Sequence, residues 1–336
     1  MATTDIAVIG AGSYGTCLAM LFGNAGHRVS LHTRKPEQAQ ELETSRVNKT
    51  YLPAYRLPDT VFVTSDLAKA VRGKKFVVGV TPSYAVRETF GQIAEAIEPD
   101  AVVINASKGL EDGTLKTIDA VYRDVLPARI ANRATFLSGP TFATEIAAGM
   151  PAAIVLAGRD VETCSTAQQA LSSIRFRIYT TDDVLGVLVG GSIKNVMAIA
   201  AGLSDGLGLG SNARAALITR GLAEITRIGV AMGAQTHTFA GLSGIGDLVL
   251  TCSGDASRNR RVGLGLGQGK VMADILDEMK QVAEGVKTTK VAHELAQQLG
   301  VDAPITSVMH AVIHEGAPAR HAMAALMSRA LKAERD

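Results

Sequence analysis

The stretch Asp5-Ile6-Ala7-Val8-Ile9-Gly10-Ala11-Gly12-Ser13-Tyr14-Gly15-Thr16 decides the fold. A short apolar run of the kind that makes a buried strand stops at a G-x-G-x-x-G turn. Apolar residues then recur at helical spacing (Cys17, Leu18, Leu21, Phe22, Ala25). Strand, glycine turn and helix together form a phosphate-binding unit. Gly10 permits the tight turn, Gly12 lets the backbone approach a pyrophosphate, and Gly15 lets the helix pack close to the strand. The helix start offers free N–H groups and a positive dipole end to an anion. The unit predicts a bound dinucleotide, in preference to a purely structural turn.

Outward from this unit, β-branched runs alternate with helical stretches as far as residue 181. Strands are expected at Ile6–Gly10, Val29–Thr33, Val61–Thr64, Phe76–Val80, Ala101–Asn105, Thr135–Ser138, Ala152–Ala157 and Arg175–Thr180. Helices are expected near Glu37–Ser45, Asp66–Val71, Ala85–Ile97, Leu115–Val125, Phe142–Ala148 and Val161–Ser172. After Asp182 and Asp183 the β-branched alternation ends and only helical periodicity remains. Leu217, Ile218, Leu222, Ile225 and Ile228 make one apolar face, on a helix that Asn212 is expected to cap. Val271, Ile275, Leu276 and Met279 make another, and Val291, Leu295 and Leu299 a third. The expected class is α/β, with a Rossmann-like doubly wound, mostly parallel sheet followed by an all-helical second domain. Residues 1–181 would bind the dinucleotide and 182–336 would carry substrate and catalysis.

Composition narrows the function classes. The 336 residues suffice for two cores, and 47% hydrophobic with 20% charged residues is ordinary for a globular protein. A formal net charge of +2 and only 4% aromatic residues, none of them Trp, argue against nucleic acid as a partner. Three scattered cysteines without C-x-x-C spacing (Cys17, Cys164, Cys252) read as reduced thiols. The N-terminus enters a strand at once, without the features of a signal peptide, so a cytoplasmic location is expected. The weakly polar run from Val184 to Gly202, broken by Gly190, Gly191, Ser192, Lys194 and Asn195, reads as a buried helix, and no membrane span is expected. Seven histidines are scattered and none has the acidic or cysteine company of a metal site, so no metal site is expected; His310 and His314, four apart, fit surface or packing roles.

Ligands in such sheets sit beyond the carboxyl ends of the strands. The second strand ends in Arg34-Lys35, where an acidic residue would favour NAD. A cation there can face a 2′-phosphate, so NADPH is expected, with NADH possible. Thr81-Pro82-Ser83 and Ser107-Lys108-Gly109 follow later strands into the same crevice, and Lys108 offers a positive charge to a substrate oxyanion. Ser138-Gly139-Pro140-Thr141-Phe142-Ala143 opens another helix. In the second half, Lys194 and Asn195 interrupt an otherwise apolar helix. Burial lowers a lysine's pKa toward the range that general acid/base chemistry uses, and Asp247 is a candidate partner. Ser257-Arg258-Asn259-Arg260-Arg261 concentrates oxyanion donors, although Arg260 and Arg261 read more as a solvated face.

Together these segments resemble NAD(P)-dependent glycerol-3-phosphate dehydrogenases of the bacterial type. The ordered match includes Ser107-Lys108-Gly109-Leu110-Glu111, Lys194-Asn195 with Ala198-Ile199-Ala200-Ala201-Gly202, Asp205-Gly206-Leu207-Gly208, Gly246 to Cys252 and Ser257-Arg258-Asn259-Arg260. The resemblance implies reversible interconversion of dihydroxyacetone phosphate and sn-glycerol 3-phosphate, serving phospholipid synthesis, in a homodimer. It implies Lys194 as proton carrier, grouped with Asp247, Lys108, Asn195 and Thr251. Gly139, Thr141, Lys108, Lys194, Asp247, Ser257, Arg258 and Asn259 match substrate positions. Gly10, Gly12, Ser13, Tyr14, Gly15, Arg34, Lys108, Ala143, Arg258, Val282 and Glu284 match cofactor positions. Tyr14 departs from a bulkier Trp in the bacterial pattern, and the variable segment Ser253–Ala256 puts the reach of Arg258 in question. A related hydroxy-acid or sugar-acid dehydrogenase would share the fold, and a non-catalytic dinucleotide sensor would need no proton donor.

Overall fold

A computed structural model describes residues 3–279, 283–331, 333 and 334. Ten strands form: β1 (Asp5–Ile9), β2 (Arg28–His32), β3 (Val47–Asn48), β4 (Leu52–Arg56), β5 (Val61–Thr64), β6 (Phe76–Gly79), β7 (Val102–Asn105), β8 (Thr135–Ser138), β9 (Ala152–Ala157) and β10 (Phe176–Thr181). Eight of them make one sheet in the order β10-β9-β8-β7-β6-β1-β2-β5, parallel throughout except at β8–β9. The helices of this half are α1 (Ser13–Asn24), α2 (Pro36–Ser45), α3 (Leu67–Val71), α4 (Val86–Ile93), α5 (Ile118–Val125), α6 (Ala128–Asn132), α7 (Ala143–Ala147) and α8 (Val161–Leu171).

Parallel strands covered on both sides are apolar at every position. In β1, Ile6 and Val8 join the core that includes Leu18 and Phe22 of α1, while Ala7 and Ile9 join the opposite core with Phe90 of α4 and Tyr122 of α5. The strand order reverses at β1, which pairs with β2 on one side and β6 on the other. A crevice opens at the carboxyl ends of β1 and β6, where ligands of such sheets bind.

Several boundaries differ from expectation for local reasons. Leu115 takes a left-handed φ of 58° and Lys116 O accepts from Glu111 N at 2.9 Å, so the chain closes a loop there and α5 starts only at Ile118. The helix expected over 85–97 ends as α4 at Ile93 and continues as a 3₁₀ turn. The antiparallel hairpin β3–β4 was not foreseen, because two residues and a proline-containing segment carry no period-two pattern.

After Asp182 and Asp183 all regular structure among the described residues is helical: α9 (Val184–Gly206), α10 (Gly210–Ala231), α11 (Asp247–Ser253), α12 (Arg258–Gly267), α13 (Met272–Glu278), α14 (Glu284–Leu299), α15 (Pro304–His314) and α16 (Ala319–Met327), with short 3₁₀ and π turns between α10 and α11. Asp183 starts α9: one carboxylate oxygen accepts from Gly186 N at 2.9 Å, and the other accepts from Gln235 N at 3.0 Å and Thr238 Oγ1 at 2.6 Å. Helix α9 is apolar and long enough to cross a membrane, yet it is buried along nearly its whole length as the central helix of this half. Asn212 does not cap α10, whose first residue is Gly210, because Gly208 and Gly210 turn the chain with φ of 75° and 83° before Asn212 is reached. The face expected around α13 is only partly buried: Ile275 packs inward while Val271 is 64% and Leu276 40% exposed.

The α9–α12 crossing brings the two helix backbones together. A Cβ on Gly202 would lie 1.9 Å from Arg260 O, and one on Gly263 1.9 Å from Ile199 O. Gly206 and Gly267, one turn on, are each 2.4 Å from the partner backbone by the same measure. Small residues four apart on both helices let the backbones touch. This fixes Lys194 on α9 relative to the start of α12.

Candidate active site

The glycine turn fits a dinucleotide on three separate grounds. Gly10 has φ of 114°, and a Cβ there would strike Val80 O at 2.8 Å. A Cβ on Gly15 would come within 1.8 Å of Gly10 O, so the start of α1 rests on the strand end. At Gly12 a Cβ would meet nothing within 4 Å, leaving open space directly over the helix start. No side chain caps α1 and no acid stands in its first turn, so its amides and dipole face that space. From the hairpin, Asn48 Nδ2 donates to Ala11 O at 3.0 Å and to Thr16 Oγ1 at 2.8 Å, and Ser13 Oγ donates to Tyr51 O at 2.8 Å. The hydroxyl of Tyr14 is shut off from solvent, and burial raises its pKa. Arg34 is exposed just past β2.

Across the crevice stands a buried ionic triad. Lys194 Nζ donates to Asp247 Oδ1 and, at 2.7 Å, to Thr251 Oγ1; Lys108 Nζ donates to Asp247 Oδ2 at 2.7 Å and to Gly139 O at 3.3 Å. Asp247 is 1% exposed and Lys194 5%, so neither charge is served by bulk water. Thr251 Oγ1 in turn donates to Asp247 O, one turn back on α11, at 2.6 Å. Burial lowers the Lys194 ammonium to about 7; Asp247 opposes this and the Lys108 charge adds to it. One carboxylate thus orients two lysines from opposite halves of the chain.

A second buried pair lies beside the triad. Asn259 Nδ2 donates to Asn195 Oδ1 at 2.9 Å, and Asn259 Oδ1 accepts from Gly285 N at 2.9 Å. Gly285 has no room for a side chain, since a Cβ would stand 2.8 Å from Asn195 O and from Asn259 Oδ1. Ser257 caps α12 by accepting from Arg260 N at 3.2 Å, and Arg258 is exposed at the helix start. Glu284 opens α14 beside them. Burial pushes its carboxyl up to about 7, against the attraction of Arg258, Lys108 and Lys194.

The fold therefore brings Lys108, Lys194, Asp247, Thr251 and Gly139 into direct contact and sets Asn195, Asn259 and Glu284 alongside. Thr141 Oγ1 reaches Gly139 O at 3.3 Å, and Ala143 is the first residue of α7. Arg34 stands apart from these contacts, two residues past β2, and Val282 lies outside the described residues. Arg260 is not a solvated charge: its guanidinium donates to Asp205 Oδ2 at 2.7 and 2.9 Å and to Asp255 at 2.8 Å. Arg261 is exposed, as expected. Among the described residues no group of histidine, cysteine and carboxylate side chains could hold a metal ion. His293 and His310 stack with ring centroids 4.3 Å apart, and His314 Nε2 lies 3.0 Å from Val286 O. Asn48, Arg87 and Ser192 escape sequence reading. Arg87 forks Glu111 at 2.7 and 2.9 Å and so steadies the loop of Lys108. Their long-range partners lie 24 to 83 positions away, so no local pattern marks them.

Comparison with known proteins shows the family. Residues 5–164 match the family profile described as NAD-dependent glycerol-3-phosphate dehydrogenase N-terminus, and residues 183–324 match the corresponding C-terminus. A relative from Geobacter sulfurreducens, named glycerol-3-phosphate dehydrogenase [NAD(P)+], is 52% identical over 330 residues, covering 98% of each chain. One of the same name from Moorella thermoacetica is 47% identical over 97% of this chain and 96% of its own. The crystal structure of glycerol-3-phosphate dehydrogenase from Coxiella burnetii superposes with a TM-score of 0.93 at 38% identity, covering 97% of this chain and 99% of that one. This chain belongs to the NAD-dependent glycerol-3-phosphate dehydrogenase family.

Proposed function

We propose that this protein reduces dihydroxyacetone phosphate to sn-glycerol 3-phosphate, reversibly, with Lys194 as the general acid and base. The observation that carries the reading is a buried lysine, lowered to about 7, held by Asp247 and Thr251 at the carboxyl end of the sheet. The glycine turn and the uncapped start of α1 would hold NADPH, which would supply the hydride for the carbonyl carbon. The Lys194 ammonium gives its proton to the carbonyl oxygen as negative charge builds there, which completes the hydroxyl and leaves a neutral amine. In the reverse direction the neutral amine takes the hydroxyl proton. A proton carrier with a pKa near the working pH serves both directions. Asp247 keeps the Nζ aimed, and Lys108 adds positive charge where the oxyanion develops.

The start of α12 offers backbone amides, Arg258 and Asn259 to a phosphate. Arg34, charged and exposed past β2, supports NADPH over NADH through the 2′-phosphate. Ser13, Tyr14, Ala143, Val282 and Glu284 complete the cofactor side of this reading, and Gly139, Thr141 and Ser257 the substrate side. Residues 1–181 act as the dinucleotide-binding domain and 182–336 as the substrate domain, in a cytoplasmic homodimer that feeds glycerophospholipid synthesis. The three cysteines, all buried and unpaired, suit a reducing compartment. The test mixes purified protein, NADPH and dihydroxyacetone phosphate and follows nicotinamide absorbance. Loss of absorbance that K194A abolishes supports the reading. Bound NADPH with no oxidation, or faster oxidation with a non-phosphorylated ketone, overturns it.

A further inference from the structure

The loop between β7 and α5 carries Lys108 and has anchors in both halves of the chain. Asn105 Nδ2 donates to Ser107 O at 2.9 Å, and Arg87 forks Glu111. Toward the other half it is tied by the Lys108–Asp247 pair, by Leu110 in the helical core and, at its backbone, by one buried side chain. Gly109 N donates to Ser192 Oγ at 3.0 Å, and that hydroxyl donates to Leu188 O at 2.7 Å. Ser192 is 1% exposed and lies two residues before Lys194 on α9. The receiving end is equally constrained. Gly109 has φ of 141°, and a Cβ there would stand 2.6 Å from Ser83 Oγ, so a glycine is required where the amide meets Ser192.

We propose that Ser192 is a positioning residue that ties the Lys108 loop to α9, and so sets how Lys108 and Lys194 share the carboxylate of Asp247. A serine in the interior of a buried helix ordinarily spends its hydroxyl on the carbonyl one turn back. Here the same oxygen keeps a lone pair for an amide 83 positions away. Alanine would leave that buried N–H without a partner, and relaxing the loop is the only way for it to find one.

The groups facing Lys194 are Asp247, Thr251 and Cys252 from α11, Lys108 from the loop and Glu284 from α14. Of these only Lys108 sits on the segment that Ser192 holds. Withdrawing its charge favours the protonated form of Lys194. The inference rests on the reaction proposed above and is tested separately from it.

In S192A the pH midpoint above which ketone reduction declines is expected to rise by roughly half a pH unit. The second-order rate constant for dihydroxyacetone phosphate is expected to fall about fivefold, the worth of one hydrogen bond, with NADPH binding unchanged. In the ligand-free protein, amide exchange across residues 107–117 is expected to speed up, and S192T, which restores the hydroxyl, should return the midpoint toward the wild-type value. An unmoved midpoint or unmoved exchange in folded S192A overturns the role. If S192A does not fold, S192C is judged by the same criterion, since the thiol keeps the volume and weakens the acceptor. Wild-type protein that does not oxidise NADPH with dihydroxyacetone phosphate would overturn the proposed reaction. An active wild type with an unmoved variant midpoint overturns only the role of Ser192.

Discussion

Lys194 shows how one residue type changes chemistry with surroundings. An exposed lysine is charged at every working pH, whereas burial brings this one to about 7 against the pull of Asp247. Ketone reduction needs the ammonium, so its rate should fall as pH rises through about 7, while alcohol oxidation needs the amine and should rise over the same interval. Parallel pH profiles in the two directions would contradict this. K194A should slow turnover by about a hundredfold or more, the usual contribution of a general acid, yet bind NADPH normally in a fluorescence titration. Arg34 is a simpler case, since its charge acts on one phosphate. R34E should weaken NADPH by roughly tenfold or more and NADH far less, as read from paired Kd values. Lys194 and Asp247 were legible as candidates because polar residues stand out in apolar segments. The Lys108–Asp247 contact was not legible, since 139 positions separate the two.

At the scale of elements, helix α9 is the axis on which the site is built. Its N-terminus is fixed by Asp183, its middle carries Ser192, Lys194 and Asn195, and its end locks into α12 through glycines on both sides. The lock aligns the start of α12 with the triad. G263A should cost about 3 kcal/mol in urea unfolding, the upper range for overpacking, because the obstructing atoms are backbone and cannot rotate away. A variant as stable as wild type would mean that the crossing can open without loss. The periodicity of α9 was readable, but its partner was not. Gly202 and Gly263 look like any glycines until the two backbones meet. Asn212 shows the opposite failure, a good capping residue pre-empted by Gly208 and Gly210, which turn the chain two residues earlier.

At the scale of the whole molecule, the chain builds two cores on the faces of one sheet and a third among helices, and the triad joins the sheet half to the helical half through Asp247. A ligand that spans the crevice should therefore stabilise both halves together. NADPH at a hundred times its Kd should add about 2.7 kcal/mol and raise the midpoint of a single thermal transition. Two transitions, only one of them moved by NADPH, would show that the halves unfold independently. The proposed dimer should elute with twice the 35.1 kDa mass of the chain in light scattering. A single-chain mass would remove it. By itself the sequence determined the sheet half, because the strand, glycine turn and helix of residues 5–16 and the alternation after them are local signals that backbone geometry translates directly. It also determined that the remainder is helical. Tertiary structure alone decided which lysine meets which carboxylate, that Arg260 is held by Asp205, and that Ser192 reaches Gly109. Each of those contacts joins segments remote in sequence, and burial, which gives Lys194 its pKa, exists only once the chain has packed.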